Sequence, residues 1–269
     1  MHKLARKVLR TVVDYDPDYY DMYADAEEAW FARLYLAHIR RHAAEASIQP
    51  PASLLEAGCQ AGRLAIPLAQ LGFQVTGVDT SGYAIRRARE HARAAGVEAT
   101  FIRGNLLHVL QAHPQRLYDL VVCAEVVYLS PDYRAILAAL AGALRPGGLL
   151  CVSHRPKWYY LLEAMRQKDL DAAIEVLRRD HGPIRDSAYY NWQTAEELRP
   201  LYESLGLRWL ALYPIDRLAW LTRTALRQLT ATQRAQWLEL ELALSHEAET
   251  CARYVLVIAQ APPALHTAS

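Results

Sequence analysis

The sequence predicts an α/β protein with a parallel, doubly wound sheet, and two observations support this fold class. Short apolar runs alternate along the chain with longer segments in which apolar residues recur at helical spacing. The first apolar run ends in a glycine-containing turn, at residues 54–62, that leads directly into a helical pattern. Repeated β-α-β units of this kind are right-handed and bind ligands at the carboxyl ends of their strands.

Length and composition limit the classes of protein that fit. A chain of 269 residues with 52% apolar residues can bury a sizeable core. Its formal net charge of +1 does not support a general attraction to nucleic-acid phosphates, and no apolar run reaches the ~20 residues of a membrane span. The 4 cysteines include no C-x-x-C pair and fit reduced core residues. We therefore expect a cytoplasmic protein with neither nucleic acid nor a membrane as a partner.

The first two predicted strands, at residues 53–56 and 73–79, frame the glycine turn. Gly58 allows the backbone to bend and a ligand to approach without a Cβ in the way, and Gly62 allows the next helix to pack closely on the strand. Asp79 ends the second strand, where a carboxylate can accept hydrogen bonds from the hydroxyls of a ribose. The alternative is that Asp79 is a helix N-cap, a role that Ser81 already fills.

The remaining elements continue the alternation of strands and helices. Later strands are expected at residues 99–103, 120–124, 149–153, 207–213 and 252–259. Ser81 and Pro131 mark helix starts, and Gly96 marks a helix end. Polar residues follow the first five strands: Glu56, Asp79, Asn105, Glu125 and His154. Because the carboxyl ends of parallel strands share one edge of the sheet, these residues predict a ligand site there.

Three segments extend beyond the minimal fold. Residues 1–50 are predicted as an N-terminal helical cap. Its tyrosines either cover a ligand as a lid or belong to a solvated acidic connector and pack on the core; they are Tyr15, Tyr19, Tyr20 and Tyr23. The domain at residues 51–262 carries insertions at 157–191 and 215–249, followed by a tail at 263–269. We expect the first insertion to be a helical run followed by a glycine–proline loop, and the second to be mostly helical. Tyr160, Tyr190 and Trp192 suit a substrate pocket because their rings also carry polar groups.

The motifs together resemble the class I S-adenosylmethionine-dependent methyltransferases. The resemblance rests on five short sequences: EAGCQAG at 56–62, GVD at 77–79, GN at 104–105, YDLVV at 118–122 and LRPGG at 144–148. It implies a Rossmann-like, seven-stranded sheet of order 3-2-1-4-5-7-6 whose last strand is antiparallel. It also implies S-adenosyl-L-methionine as cofactor and S-adenosyl-L-homocysteine as product.

The resemblance also assigns residues to the cofactor. The implied set is Glu56, Gly58, Cys59, Gly62, Asp79, Thr80, Asn105, Leu106, Ala124 and Glu125. Within it, Asp79 falls on the ribose-binding acid and Asn105 on the residue that accepts from the adenine amino group. Gln60 stands where the family has a glycine and Asn105 where it has an aspartate. The Gln60 side chain must therefore point away from the methionine moiety, whereas Asn105 keeps a carbonyl acceptor.

The implied activity is methyl transfer to a small molecule through an oxygen, nitrogen or carbon nucleophile. After the fourth strand the chain reads EVVY at 125–128, which differs from the Asn/Asp-Pro-Pro-Tyr of nucleic-acid base methyltransferases. His154 is the candidate base, with a structural histidine as the alternative, and Tyr128 is a second candidate for orienting the nucleophile. We expect no metal. A non-catalytic cofactor-binding partner or sensor is the alternative function, and a nicotinamide dehydrogenase is a third, whose turn would require a tighter glycine pattern.

Overall fold

The structure is a computed structural model that describes residues 19–184, 187–244 and 251–264. Tyr15 and the helical start predicted before it lie outside the described residues. The last part of the 215–249 insertion and most of the predicted tail lie outside them as well.

The elements alternate as the sequence predicts. The strands are β1 (Ser53–Ala57), β2 (Gln74–Asp79), β3 (Thr100–Arg103), β4 (Tyr118–Cys123), β5 (Leu144–His154), β6 (His181–Ile184), β7 (Ser187–Asn191), β8 (Arg208–Ile215) and β9 (Tyr254–Gln260). The α-helices are α1 (Ala26–Glu45), α2 (Ala65–Gln70), α3 (Gly82–Ala94), α4 (Leu106–Ala112), α5 (Tyr133–Gly142), α6 (Lys157–Arg166), α7 (Leu170–Arg178), α8 (Ala195–Ser204), α9 (Leu218–Thr222) and α10 (Ala231–Leu244). Short 3₁₀ turns occupy Val127–Leu129 and Leu226–Gln228.

Seven strands form one sheet in the order β3-β2-β1-β4-β5-β9-β8. Strands β1 to β5 are parallel, and β9 runs antiparallel between β5 and β8. The predicted order 3-2-1-4-5-7-6 is confirmed, because β8 and β9 are the sixth and seventh strands of this sheet. The direction of winding reverses between β1 and β4, which is the point where such sheets bind ligands.

The central strands are buried on both faces. Leu54 and Leu55 are neighbours on β1 and point to opposite faces, and both are fully buried. One face packs against α1, α2 and α3, and the other packs against α5 and α8. Burial of each large apolar side chain contributes about 1.5–3 kcal/mol, so the strand ends are held on a rigid base.

Helix α1 follows a short non-helical segment at residues 19–25. Asp25 is its N-cap and accepts hydrogen bonds from the backbone N–H groups of Glu27 at 2.8 Å and Glu28 at 3.0 Å. The two glutamates lie in the first turn, where negative charge is stabilised. Residues 19–25 therefore form a non-helical segment within the region predicted as a helical cap, where the tyrosines were assigned to a lid or a connector.

The first insertion differs from its prediction. The helical run is split into α6 and α7, with Lys168 between them at a φ of 60° and Asp169 capping the second helix. The predicted glycine–proline loop is strand β6, which forms an antiparallel hairpin with β7. A two-stranded hairpin tolerates Pro183 because its strands are edges, so proline was a poor indicator of a loop here.

Candidate functional site

A cavity of about 520 Å³ lies at the carboxyl ends of the central strands, and we call it the strand-end cavity. It sits beside the reversal between β1 and β4. Nine of the residues assigned to a cofactor from the sequence line it: Glu56, Gly58, Cys59, Asp79, Thr80, Asn105, Leu106, Ala124 and Glu125. The topology thus brings residues that are distant in sequence to one site.

Gly62 is not among the residues that line the strand-end cavity. Its φ is +91°, and a Cβ there would lie 2.7 Å from Cδ1 of Ile66. Gly62 therefore permits the close packing of α2, and its assignment to the cofactor is not supported. Gly58, with a φ of +78°, does line the cavity, and a Cβ there would overlap Cγ2 of Val126.

Glu56 is 3% exposed at the floor of the strand-end cavity. It accepts hydrogen bonds from the backbone N–H groups of Leu64 and Ala65, so it caps the start of α2, where Leu64 supplies no side-chain cap. Its Oε2 is buried without a partner. Burial raises the pKa of Glu56 to about 8, because the effect of burial is larger than the opposing effects of Arg63 and the two N–H donors. A cationic group in the cavity would supply the missing partner.

Asp79 joins the end of β2 to the glycine turn. Its Oδ2 accepts from the backbone N–H of Gln60 at 3.0 Å, and its Oδ1 accepts from that of Ser81 at 2.8 Å. Ser81 itself caps α3 through the N–H of Ala84 at 3.2 Å. Burial raises the pKa of Asp79, although the backbone donors act in the opposite direction. The carboxylate is thus fixed in orientation at the edge of the cavity.

Gln60 has an unusual conformation for a residue with a side chain. Its φ is +44°, in the left-handed region that the family's glycine would favour. The side-chain Oε1 accepts from the N–H of Ala61 at 2.9 Å and of Met22 at 3.3 Å, and Nε2 donates to the carbonyl oxygen of Tyr20. The side chain of Gln60 therefore ties the glycine turn to residues 20–22.

The segment before α1 is also held against α3. Asp21 lies 3.1 Å from Arg87 Nε and 2.9 Å from His91 Nε2. Burial alone would raise the pKa of Asp21, but the hydrogen bonds from His91 and Arg87 outweigh it and hold the pKa below its usual value. The segment reaches the strand-end cavity through Met22, which lines it.

The tyrosines predicted to cover the ligand point elsewhere. The Tyr19 ring packs edge-on against Tyr83 with centroids 4.6 Å apart, and the Tyr23 ring stacks on His91 at 4.5 Å. Tyr20 is 50% exposed. None of these three lines the strand-end cavity, so their predicted role as lid residues is not supported by their positions.

Asn105 is placed at the cavity but differs from its predicted use. Its Oδ1 accepts from the backbone N–H groups of Leu107 at 3.0 Å and His108 at 3.4 Å, which makes it the N-cap of α4. The carbonyl oxygen expected to accept from an adenine amino group is therefore already engaged. The side-chain NH₂ remains as a donor beside the cavity.

A buried ion network forms one wall of the strand-end cavity. Arg63 is 6% exposed, lies 2.7 Å from Glu125 Oε1 and also pairs with Glu28. Glu125 has a φ of +61°, and its N–H donates to Ser153 Oγ at 2.6 Å. Sequence reasoning missed Arg63, although its position directly after the glycine turn was a usable signal. It assigned Glu125 to the cofactor, but this carboxylate is engaged by Arg63.

His154 does not reach the strand-end cavity. It is 1% exposed, and its Nε2 lies 2.7 Å from the hydroxyl of Tyr202 on α8. Burial lowers its pKa to about 3, so the ring is neutral near pH 7. The structure thus contradicts the prediction that His154 is the base and favours the alternative of a structural histidine.

A second cavity of about 440 Å³ lies between α6, α7 and the β6–β7 hairpin, and we call it the insertion cavity. The three residues predicted for a substrate pocket, Tyr160, Tyr190 and Trp192, all line it. Tyr128 lines the strand-end cavity, and its ring stacks on that of Tyr190 with centroids 6.4 Å apart. The two cavities therefore adjoin at this pair of tyrosines.

Neither a metal centre nor a membrane-spanning helix is found among the described residues. No group of three His, Cys, Asp or Glu side chains in the described part of the chain has an arrangement that could hold a metal ion. No helix within residues 19–184, 187–244 and 251–264 is both long and apolar enough to cross a membrane.

Comparison with known proteins identifies the central segment. Residues 54–148 match the family described as "Methyltransferase domain". A ubiquinone biosynthesis O-methyltransferase of Serratia proteamaculans (strain 568) is 32% identical over 150 residues, which is 55% of this chain and 62% of that relative. The match thus covers less than two thirds of the relative's length.

Solved structures share the fold over nearly the whole chain. The magnesium protoporphyrin IX methyltransferase of Synechocystis PCC 6803, solved with bound S-adenosylhomocysteine, has a TM-score of 0.58 at 15% identity and covers 96% of this chain and 98% of its own. An S-adenosylmethionine-dependent methyltransferase of Clostridium acetobutylicum ATCC 824 has a TM-score of 0.59 at 12% identity, with coverages of 97% and 98%. At these identities the likeness establishes the fold.

Proposed function

We propose that this protein transfers a methyl group from S-adenosyl-L-methionine to a small-molecule acceptor, because residues 54–148 form a methyltransferase domain and the sheet is that of the class I S-adenosylmethionine-dependent methyltransferases. The observation that carries the proposal is Glu56. A buried carboxylate oxygen without a partner lies at the floor of a cavity built from the residues of the cofactor motifs. An amino acid ammonium group satisfies such an oxygen.

The residues of the strand-end cavity fit the parts of this cofactor. Glu56 would bind the ammonium group of its methionine moiety, and Gly58 leaves room for that moiety beside the turn. Asp79 would accept from the ribose hydroxyls, and the side-chain NH₂ of Asn105 would donate to the adenine ring. When bound, S-adenosyl-L-methionine supplies a methyl group already activated by its sulfonium, so the protein must orient the acceptor and exclude water.

The acceptor would occupy the insertion cavity and meet the cofactor at Tyr128. Tyr128 is 5% exposed, and burial raises its pKa to about 12, so its hydroxyl remains a donor that can orient a nucleophile. The Serratia relative is named an O-methyltransferase, which supports a hydroxyl acceptor. His154 is buried and Glu125 is paired with Arg63, so neither can take a proton from the acceptor. An acceptor that ionises easily, such as a phenol, therefore suits this site better than an alcohol.

The remaining expectations are part of the same proposal. A reducing, cytoplasmic location is supported by Cys59, Cys123 and Cys151, which are buried, unbridged side chains of the core. A small-molecule acceptor is supported by the size of the insertion cavity, since pockets for small ligands occupy ~300–1,000 Å³.

The first test is native mass spectrometry of the purified protein followed by calorimetry with S-adenosyl-L-homocysteine. We expect binding in the wild type and a loss of about 2–4 kcal/mol in Asp79→Ala, since two charge-assisted hydrogen bonds to the ribose are removed. Asp119→Ala is the matched control. Asp119 pairs with Ser53 and Arg145 at the opposite end of the strands, so this change should leave cofactor affinity intact.

A protein that binds the cofactor without catalysis is the alternative. Two observations favour it: Glu125 is paired with Arg63, and His154 is buried. Neither residue can therefore act as a base that accepts a proton from an acceptor. A panel of phenolic acceptors assayed with isotopically labelled methyl donor separates the two functions. Binding of S-adenosyl-L-homocysteine without methyl transfer to any acceptor would favour the alternative, and failure to bind it would refute both.

A further inference from the structure

The insertion cavity contains an arginine without an acidic partner. Arg155 follows β5 directly and lines this cavity. Its guanidinium carbon lies 4.4 Å from the ring centroid of Tyr159 and 4.6 Å from those of Tyr128 and Tyr254. Its Nη2 donates to the Tyr254 hydroxyl at 2.6 Å, whereas its Nε is buried without an acceptor. No carboxylate of the described residues lies within 4.0 Å of this cation.

Other arginines near the two cavities do have acidic partners. Arg63 pairs with Glu28 and Glu125, Arg166 lies 2.6 Å from Glu163, and Arg253 lies 3.5 Å from Asp216. The aromatic rings around Arg155 stabilise its charge by cation–π contacts, but they do not complete its hydrogen bonds. A desolvated charge without a counter-ion is strongly unfavourable, so Arg155 is suited to a ligand that brings the anion.

A second donor in the insertion cavity also lacks an acceptor. Tyr160 is 4% exposed and lines the cavity, and its hydroxyl oxygen is buried without a partner. Burial holds the pKa of Tyr160 far above its usual value, so the group keeps its proton and can donate it to an oxygen. The two unsatisfied donors, Arg155 and Tyr160, are both available to one ligand anion.

The carboxylates that line the insertion cavity are already engaged. Glu163 accepts from Arg166 and, at 3.0 Å, from Nε1 of Trp220. Glu175 pairs with Arg179 at 2.9 Å, and Asp169 accepts from the N–H of Ala172 at 3.0 Å. A ligand cation would also find the faces of Tyr128, Tyr159 and Tyr254 occupied by Arg155. The unpaired donors of Arg155 and Tyr160 thus favour an anionic ligand over a cationic one at this end of the cavity.

We propose that Arg155 and Tyr160 bind a carboxylate of the methyl acceptor, which is a small aromatic acid whose ring packs against Tyr190 and Trp192. This inference rests on the methyl-transfer function proposed above. A guanidinium group matches a planar carboxylate in geometry and charge, and a tyrosine hydroxyl adds a third donor. Arg155 stacks on Tyr128, which lines the strand-end cavity, so the anchored acid is held beside the wall that the two cavities share.

Calorimetry with three matched probes tests the proposal. The probes are 3,4-dihydroxybenzoate, the neutral 3,4-dihydroxybenzamide and the cationic 3,4-dihydroxybenzylamine, each titrated into the full chain saturated with S-adenosyl-L-homocysteine. We expect the benzoate to bind about tenfold or more tightly than the benzamide, and the amine to bind most weakly. Arg155→Gln should abolish the preference for the benzoate, Arg155→Lys should retain part of it, and Tyr160→Phe should weaken benzoate binding about three- to tenfold.

Arg178→Gln is the matched control, because Arg178 lies on α7 of the same insertion but is 72% exposed. It removes one positive charge from this region and should leave the preference unchanged. Equal binding of the three probes, no binding of any probe, or a preference that survives in folded Arg155→Gln would overturn the proposal. If Arg155→Gln does not fold, the Tyr160→Phe and Arg155→Lys results decide.

Titration of S-adenosyl-L-homocysteine alone separates this inference from the proposed function, because it reports on the strand-end cavity. If S-adenosyl-L-homocysteine binds and the benzoate is not preferred, only the carboxylate proposal fails. If it does not bind and the benzoate is still preferred in probe titrations of the free protein, the anion site stands and the methyl-transfer function fails.

Discussion

The strand-end cavity and the insertion cavity are adjacent but are constructed differently. The first is formed by backbone turns at the ends of β1 to β4, and several of its polar side chains are fixed by hydrogen bonds to backbone N–H groups, as in Glu56 and Asp79. The second is formed mainly by side chains of the first insertion, three of them aromatic, together with Trp192, and it contains donors that lack partners. The first is thus fixed largely by the backbone, whereas the second depends mainly on side chains.

The largest expected effect is that of Gly58→Ala. A Cβ at this position would overlap the side chain of Val126, and the alanine would have to adopt a φ of +78°. The turn must therefore move. We expect calorimetry to detect no binding of S-adenosyl-L-homocysteine, together with a loss of about 1–3 kcal/mol in the free energy of unfolding.

Gly142→Ala is the control for this change, because a Cβ at Gly142 meets nothing within 4 Å. It should bind normally. Binding of 3,4-dihydroxybenzoate to the insertion cavity should survive in both variants, since Gly58 belongs to the other cavity. Loss of both ligands in a folded Gly58→Ala protein would show that the two cavities do not behave independently.

The next effect is a pH dependence of cofactor affinity through Glu56. Burial raises the pKa of this carboxyl to about 8, so the ligand-free protein carries a proton there that must leave before an ammonium group binds. Affinity for S-adenosyl-L-homocysteine should rise by up to about tenfold per pH unit as the pH increases toward about 8. Calorimetry across this range measures the slope, which Glu56→Gln should remove.

The same group affects the stability of the ligand-free protein with the opposite sign. Its folded-state pKa lies above the usual value of 4.5, so its contribution to stability is present below about 4.5 and is lost as the pH rises through about 8. Thermal unfolding at several pH values detects this loss. An unchanged affinity slope in Glu56→Gln would contradict the assignment of Glu56 to the ammonium group.

A smaller effect is expected for Gln60→Gly. Glycine suits the φ of +44°, so the turn itself should be preserved, but the hydrogen bonds to Tyr20 and Met22 are lost. We expect hydrogen exchange of residues 20–22 to accelerate and affinity for S-adenosyl-L-homocysteine to fall about three- to tenfold. The control is Gln49→Gly, because Gln49 is an exposed loop residue outside both cavities. It should change neither the exchange of residues 20–22 nor the affinity.

The smallest effect is expected for Asn105→Asp. Aspartate is as good an N-cap as asparagine, so α4 should keep its cap and the unfolding temperature should hardly change. The variant loses the NH₂ donor but brings a carboxylate acceptor to the adenine, so cofactor affinity should change by no more than about threefold. A change greater than about tenfold would mean that the side-chain NH₂ makes a direct and strong contact.

The sequence was sufficient for features that depend on position relative to a strand. The sheet order was implied by the resemblance to the methyltransferases and is confirmed. The location of the cavity and the placement of Asp79 beside it follow from short motifs that each lie at the end of one strand. Glu56 and Gly58 were predicted for the same reason. These features are local, so a linear pattern of apolar runs and glycines contains the necessary information.

The features that were missed depend on contacts between distant residues. Arg63 and Glu125 pair across 62 positions. The β6–β7 hairpin is an exception, because its paired residues are at most ten positions apart; it was missed because glycine and proline are typical of a loop. His154 was correctly placed at the end of β5, but the pattern did not show that its side chain turns toward Tyr202. Successive side chains on a strand face opposite sides of the sheet. The last residue of a strand can therefore point into the core or toward the ligand site, and the sequence pattern does not show which.

The Arg63 network has a consequence for discrimination between substrate and product. Two carboxylates, from Glu28 and Glu125, share a single guanidinium, so this wall of the strand-end cavity carries excess negative charge. Such a field favours a positively charged ligand over an uncharged one of the same shape, and it acts strongly where water is excluded. S-adenosyl-L-methionine has a positive sulfur and S-adenosyl-L-homocysteine does not. Under the proposed function, methyl transfer therefore removes the charge that helps to hold the cofactor, and inhibition by the spent product is weakened.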